Sequence, residues 1–206
     1  MDPRLQQFVL AFFGIWLCST ALWFGMDKGD ELYKLLTWRT EALDSAMVFI
    51  TSLSEEWVYI TLGLIMLFRN IRNTIIIGLA GIMSLAVTSP LKELFEMPRP
   101  RVWLSVRHQL EPFEGINGNY IHDGFNSFPS GHTLSAFVLA TVCTYLFPKG
   151  RWIWLITAMA VGFSRMYLVQ HFFEDVLFGS ILGVTFALVM LKIVEKRWMK
   201  LNKSII

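Results

Sequence analysis

Six apolar segments limit the fold of this 206-residue chain more than any other feature. They cover residues 5–25, 46–68, 74–95, 133–147, 152–169 and 172–191. A helix that crosses the hydrocarbon core of a membrane needs about 20 mainly apolar residues. Only 17% of the residues are charged, whereas a soluble domain normally has about a quarter. The sequence therefore predicts an all-α protein, a bundle of six transmembrane helices that forms one membrane-embedded domain over residues 1–206.

The second segment is interrupted by Ser54, Glu55 and Glu56. Ionisable residues inside a membrane span often mark an ion path, which is one interpretation of these two carboxylates. The interpretation that we favour is a break in the helix at the membrane interface. Only residues 57–68 of this segment are then predicted to lie deep in lipid.

The basic residues indicate how six crossings are oriented. Ten of the 18 Lys and Arg residues fall on the side of the two termini and eight on the opposite side. Cytoplasmic loops carry an excess of Lys and Arg, so the termini are predicted to be cytoplasmic. A net charge of +2 is too small to favour a nucleic-acid partner.

Three polar clusters lie at the ends of apolar segments. The first is Lys92, Arg99 and Pro100 after the third segment, the second is Pro129, Ser130, Gly131 and His132 before the fourth, and the third is Ser164, Arg165, His171 and Asp175 between the fifth and sixth. Counting the crossings puts all three on the side of the membrane opposite to the termini. We therefore expect the three clusters to meet there in one site.

These residue types suit phosphoryl transfer. Lys92, Arg99 and Arg165 supply positive charge, and arginine makes two parallel hydrogen bonds to a phosphate. The backbone N–H groups of Ser130 and Gly131, at the start of a helix, are a further predicted anion contact.

The two histidines suggest a division of labour between a nucleophile and an acid. His171 and Asp175 are four residues apart, a spacing that puts them on one face of a helix, where the carboxylate fixes the ring tautomer. We therefore predict that His171 attacks phosphorus and that His132 protonates the leaving oxygen.

The three clusters, read as KxxxxxxRP (92–100), PSGH (129–132) and SRxxxxxHxxxD (164–175), resemble the signature motifs of the type 2 phosphatidic acid phosphatase superfamily. The close resemblance covers about residues 84–183. This superfamily includes bacterial membrane lipid phosphatases, glucose-6-phosphatase and vanadium haloperoxidases.

The resemblance implies the same roles, position by position. Lys92, Arg99 and Arg165 bind the phosphate with help from Ser130 and Gly131. His132 protonates the leaving group, His171 forms a phosphohistidine, and Asp175 orients it. It further implies that no metal or other cofactor is required. The implied partner is a lipid phosphate in the bilayer, reached from the periplasmic face of a bacterial-type inner membrane.

The resemblance to small six-span members of the superfamily implies that the substrate is undecaprenyl pyrophosphate, phosphatidylglycerophosphate or phosphatidic acid, with lipid A as an alternative. If the protein is an enzyme, haloperoxidase activity is a further possibility. A transporter that binds phosphate without chemistry is the alternative from another class of protein.

The polar loop at 101–128 also contains potential metal ligands: His108, Glu111, Glu114, His122 and Asp123. Their spacing fits no zinc pattern. We predict instead a solvated loop that contacts the substrate headgroup. Arg101 and Arg107 belong to no motif and are predicted to anchor the loop at the membrane interface, with guidance of an anionic headgroup as the alternative.

Overall fold

The computed structural model describes residues 2–113 and 122–203. These ranges contain helices and no strand, as the sequence predicted. The α-helices are α1 (Pro3–Phe24), α2 (Asp30–Leu36), α3 (Glu41–Ser52), α4 (Glu56–Leu67), α5 (Ile71–Phe95), α6 (Pro100–Val106), α7 (Gly131–Leu146), α8 (Arg151–Tyr167) and α9 (Phe173–Lys203). Single turns of 3-10 helix, Glu111–Phe113 and Pro148–Gly150, follow α6 and α7.

Short polar side chains start several of these helices. The side chains of Asp2, Thr40 and Asn70 accept hydrogen bonds from backbone N–H groups in the first turns of α1, α3 and α5. Such caps satisfy donors that have no partner inside the helix. At the other end of α5, Glu96 is the C-cap residue; it has a left-handed backbone with φ of 43°, and its N–H donates to the carbonyl oxygen of Lys92. Helix α5 therefore ends at Phe95, about one turn after Lys92.

The number of membrane crossings is only partly supported. Among the described residues, three helical segments are long and apolar enough to span a membrane: Pro3–Phe24, Ile71–Val106, which includes α5 and α6, and Phe173–Met199. The pair α3 and α4, bent by 52°, gives a fourth if it counts as one broken span. The other two predicted spans, α7 and α8, have 16 and 17 residues. Six crossings therefore stay a prediction.

The central helix α7 explains part of this difference. It packs against α5, α8 and α9, and 11 of its 16 residues are buried. A helix surrounded by other helices needs no continuous lipid-facing surface. The hydroxyl side chains of Thr133, Thr141 and Thr144 are buried within the protein.

Two glycines let α9 approach α7 closely. A Cβ atom added at Gly179 would lie 2.7 Å from the carbonyl oxygen of Ser130, and one added at Gly183 would lie 2.5 Å from that of Leu134. Glycines four residues apart are a common contact between membrane helices because they let two backbones touch. This contact holds the start of α7 beside the start of α9, and thus the second motif beside the third.

The connection between α1 and α2 supports the start of α9 from outside. Glu31 accepts a hydrogen bond from the backbone N–H of Phe173 at 3.0 Å, and Lys28 forms an ion pair with Glu174. Glu31 is buried. The turn that carries His171 is therefore fixed from the N-terminal part of the chain as well as from α7.

Candidate active site

The three sequence clusters meet at one end of the bundle. The Ser130 backbone N–H donates to the carbonyl oxygen of Asp175 at 3.0 Å, which joins the second cluster to the third. A Cβ atom at Gly131 would lie 3.9 Å from Cε of Lys92, which brings in the first cluster. The expected meeting of the three motifs is therefore found in the structure.

His171 and Asp175 form a buried pair. The Nδ1 atom of His171 lies 3.2 Å from Oδ2 of Asp175, and both side chains are 1% exposed. A carboxylate accepts hydrogen bonds, so this contact places the ring proton on Nδ1 and leaves the lone pair of Nε2 free.

The sequence predicted that the two residues share a helix face, but in the structure they do not. His171 lies in the turn before α9, which starts at Phe173. Asp175 is in the first turn of α9, and its Oδ2 atom accepts the backbone N–H of Phe172 at 3.0 Å. The carboxylate folds back over the helix start, and this brings it to the ring.

Ser127 completes the surroundings of this carboxylate. Its hydroxyl donates to Oδ2 of Asp175 at 2.5 Å, and its Oγ atom lies 3.5 Å from Nδ1 of His171. Ser127 is fully buried. Three groups therefore hold one carboxylate oxygen, which fixes the direction of the imidazole ring.

The environment of His171 disfavours its charged form. Burial lowers the pKa of His171 well below its ordinary value of 6.5, and the positive charges of Arg165, Arg99 and Lys92 lower it further. The ring is therefore neutral near pH 7. A neutral imidazole has the free lone pair that a nucleophile requires.

The three cations converge on the same place. Arg99 donates from Nε to Oδ1 of Asn126 at 2.6 Å, and Arg165 donates from Nη1 to Oγ1 of Thr51 at 2.8 Å. Arg99 is 8% exposed and Arg165 is 6% exposed. Within the part of the chain that the structure describes, no carboxylate forms a salt bridge with these arginines or with Lys92.

Arg165 also carries a hydrogen-bond donor that is not satisfied by the described residues. Its Nε atom is buried and has no acceptor among them. An unpaired buried donor is costly. Positive charge and an unused donor at one point are the features expected of a site for a multiply charged anion.

The second cluster differs in one respect from the prediction. Ser130 is the N-cap of α7, with its hydroxyl 2.8 Å from Oγ1 of Thr133 and its backbone N–H bonded to Asp175. The Ser130 N–H is therefore engaged within the protein and is not a free anion contact. The backbone groups of Gly131 and His132 belong to the first turn of the helix, where N–H groups have no acceptor inside the helix.

His132 is half-buried and lines a cavity between α4 and α5. Its Nε2 atom lies 3.9 Å from Oε1 of Glu55. The cavity has a volume of about 870 Å³. Lys92 and Gly131 line the same end of it, and Ile60, Leu64, Ile82 and Leu85 supply an apolar wall.

The polar loop is only partly described. Arg101 forms a salt bridge with Asp123 at 3.1 Å, and Arg107 stacks over Trp103 with its guanidinium 3.9 Å from the ring centre. Glu114, one of the potential metal ligands, lies outside the described residues. Among those described, no three His, Cys, Asp or Glu side chains are grouped so that they would hold a metal ion.

Several residues at the site were not found from the sequence. Thr51 contacts Arg165, and Glu55 contacts His132. Asn126 and Gln170 both contact Arg99, and Ser127 contacts Asp175. Ser127 lies just before the second motif, and Glu55 lies in the helix break. Proximity to these features was the only signal that the sequence offered.

Helices long and apolar enough to span a membrane, with cations and histidines clustered at one end of the bundle, are the features of a membrane protein with a candidate anion site. The model of the PAP2 superfamily matches residues 73–199. This is more than half of the chain, and the chain belongs to that superfamily. The family predicted from the three motifs is confirmed.

Relatives of known activity cover most of the chain. An undecaprenyl-diphosphatase of Sulfolobus acidocaldarius is 31% identical over 74% of this chain and 72% of its own length. The undecaprenyl-diphosphatase BcrC of Bacillus subtilis is 29% identical over 75% of this chain and 78% of its own. The crystal structure of Aquifex aeolicus LpxE is similar with a TM-score of 0.66 and 25% identity, over 78% of this chain and 92% of that one.

Proposed function

We propose that this protein is an integral membrane phosphatase that removes the terminal phosphate of a lipid phosphate or diphosphate through a phosphohistidine on His171. The observation that carries the proposal is the position of the His171–Asp175 pair beside the charges of Lys92, Arg99 and Arg165. The cations neutralise and orient the phosphate, and they hold it against the free Nε2 of His171.

The reaction proceeds in two steps. Nε2 of His171 attacks phosphorus, the bond from phosphorus to the lipid oxygen breaks, and His132 gives that oxygen a proton. Asp175 stabilises the positive ring that forms at His171. A water molecule then attacks phosphorus, His132 takes its proton, and inorganic phosphate leaves with the His171 ring restored. Ser130 positions this machinery by capping α7, and Gly131 offers a backbone N–H to the phosphate.

The cavity between α4 and α5 suits a lipid tail. Its polar end holds Lys92 and His132, and its apolar wall includes Ile60 and Ile82, which are 61% and 67% exposed. In a membrane such exposed apolar side chains face lipid. A tail therefore enters sideways from the bilayer while its phosphate reaches the cations.

We propose a long-chain diphosphate of the undecaprenyl type as the preferred substrate, since two relatives that match most of the chain are undecaprenyl-diphosphatases. Phosphatidylglycerophosphate, phosphatidic acid and lipid A are the competing substrates. Competitive turnover of all four by the purified protein in a chelator tests the choice. Fastest release from phosphatidic acid would contradict it.

Substitution tests the mechanism itself. His171→Ala and His132→Ala are expected to abolish phosphate release, and Lys92→Met is expected to reduce it strongly. Lys196→Met is the matched control because Lys196 is an exposed residue of α9 far along the chain from the site. Turnover that survives both histidine substitutions would contradict the mechanism, and phosphate binding without any turnover would favour a transporter.

The proposed topology has six crossings, cytoplasmic termini and the site on the outer face of a bacterial-type plasma membrane, within one domain. It is tested with a membrane-impermeant thiol reagent on whole cells, after both native cysteines are replaced by alanine. Cysteine at the exposed position Lys34 is expected to react, and cysteine at the exposed position Lys149 is not. The reverse pattern would contradict the orientation.

A further inference from the structure

The break between α3 and α4 brings a carboxylate into a site made for an anion. Glu55 lies in this break, and it lines the cavity together with His132 and Lys92. A negative charge at this point repels a phosphate substrate. The proposed phosphate chemistry does not use Glu55, so its position needs another explanation.

The backbone around Glu55 is fastened on both sides to the site. The hydroxyl of Ser135, in α7 one turn after His132, donates to the carbonyl oxygen of Ser54 at 2.6 Å. Four residues before Glu55, the hydroxyl of Thr51 accepts a hydrogen bond from Arg165. The backbone of the break is therefore held by α7, which carries His132, and by α8, which carries Arg165. These contacts fix the position of the Glu55 backbone.

Oε1 of Glu55 lies 3.9 Å from Nε2 of His132. Burial lowers the pKa of His132 to about 3, and Arg165 from α8, His171 before α9 whenever its ring is protonated, Lys92 from α5 and Arg99 before α6 act in the same direction. Each of those cations repels a positive charge on His132. Glu56, which also lines the cavity, is the neighbouring acidic residue, and among the described residues Glu55 is the carboxylate within salt-bridge distance of His132.

We infer that Glu55 is a positioning residue that directs His132 at the leaving oxygen and opposes the positive charges that disfavour its protonated form, so that the enzyme cleaves substrates with poor leaving groups. This inference rests on the proposed function. The proton moves from His132 to the leaving oxygen as the bond to phosphorus breaks, and the bond electrons stay on that oxygen. Glu55 keeps its charge throughout and takes no proton.

The two types of lipid phosphate depend differently on this proton. A lipid monophosphate releases an alcohol oxygen, whose pKa is close to that of water at about 16. A lipid diphosphate releases a phosphate monoester, whose second pKa is about 6. The monophosphate needs a proton in the transition state, whereas the diphosphate hardly does. Loss of Glu55 is therefore expected to affect monophosphates selectively.

Farnesyl phosphate and farnesyl diphosphate test this with one and the same tail. In Glu55→Gln we expect kcat for the monophosphate to fall by about 10- to 100-fold, within the range of general acid catalysis, and kcat for the diphosphate to fall less than about threefold. The alkaline limb of kcat for the monophosphate is expected to move to lower pH. Glu55→Asp, which keeps the charge, is expected to recover much of the loss.

The control is Glu93→Gln, an exposed carboxylate next to Lys92 that does not line the cavity. It is expected to behave as the unchanged protein on both substrates. An equal loss on both substrates in Glu55→Gln, or an unshifted pH profile, would contradict the role of Glu55 alone. Absence of turnover in the unchanged protein would contradict the proposed function as well.

Discussion

The face between α7 and α9 and the face between α4 and α5 use glycine in opposite ways. Between α7 and α9, a Cβ atom at Gly183 would meet the backbone of α7 at 2.5 Å. On the other face, a Cβ atom at Gly63 or Gly78 would meet nothing within 4 Å, whereas one at Gly81 would lie 3.3 Å from the ring of Tyr59; all three glycines line the cavity. Glycine brings two backbones together in one place and leaves space in the other.

This difference separates two requirements of the proposed chemistry. The reacting groups need fixed positions, because a displacement of about 1 Å can cost about 100-fold in rate. A lipid tail needs an opening that reaches the bilayer. His171 and Asp175 are accordingly on the tight face, and the cavity is on the open one.

Among the variants that compare the two faces, Asp175→Asn on the tight face is expected to have the largest effect. An amide cannot hold the same ring tautomer or stabilise the charged ring, so kcat is expected to fall by about 10³- to 10⁴-fold, as in other histidine–aspartate pairs. Phosphate binding and thermal stability are expected to persist. Phosphate release with the substrate at saturation measures this, and a rate close to that of the unchanged protein would show that Asp175 has a structural role only.

Ser127→Ala probes the support of that carboxylate. It removes one hydrogen bond to a charged group, worth about 1.5–3 kcal/mol, which corresponds to a fall in kcat of about 10- to 100-fold if the bond serves only orientation. KM is expected to change little because Ser127 does not line the cavity. A fall in thermal stability with unchanged kcat would contradict this role.

Gly183→Ala and Gly78→Ala compare the two faces directly. The new methyl group at position 183 collides with the α7 backbone, and overpacking of this kind costs about 1–3 kcal/mol. At position 78 the methyl group meets open space, so the stability is expected to stay the same or rise slightly. Thermal unfolding of both variants in one detergent checks the comparison, and equal shifts would remove the distinction between the faces.

Gly78→Leu tests whether the open face holds the tail. The larger side chain occupies part of the cavity, and we expect KM for a long-chain substrate to rise about tenfold. This is slightly less than the change in KM expected if two methylene groups of the tail were no longer buried. KM for a short-chain phosphate is expected to stay unchanged. Equal changes for both substrates would place the tail elsewhere.

The smallest effect concerns pH and stability. Burial and nearby cations lower the pKa of His171 below its ordinary value, so the unfolded chain binds a proton at this residue more readily than the folded one. The contribution of the neutral ring to stability is therefore present above about pH 6.5 and is lost as the pH falls. Between pH 7.5 and pH 5, the thermal midpoint of the unchanged protein is expected to drop more than that of His171→Gln. Equal drops would contradict a lowered pKa.

Much of the helical architecture followed from hydropathy. The predicted start of the first segment at Leu5 and the observed start of α1 at Pro3 differ by two residues, and the break near Glu55 was expected from its charges. The number of spans could not be settled in this way. Because α7 is surrounded by protein, its length and hydropathy do not report a lipid contact.

The eight site residues were found from their motifs, but several of their contacts were not. The sequence suggested a shared helix face for His171 and Asp175, and the structure joins them through a turn. The sequence also suggested a free backbone N–H at Ser130, but in the structure this N–H donates to the carbonyl oxygen of Asp175. Local spacing describes neighbours along a helix and says nothing about groups that other segments bring in.

The sequence by itself determined that the chain is helical and lipid-embedded and that it carries a set of cations and histidines suited to phosphate, because apolar length and residue chemistry are local properties. Only the tertiary structure decided which groups meet. Glycines 179 and 183 let α9 approach α7, Ser127 reaches Asp175, and the break between α3 and α4 carries Glu55 to His132. These contacts join residues far apart in the chain, so they depend on how whole helices pack.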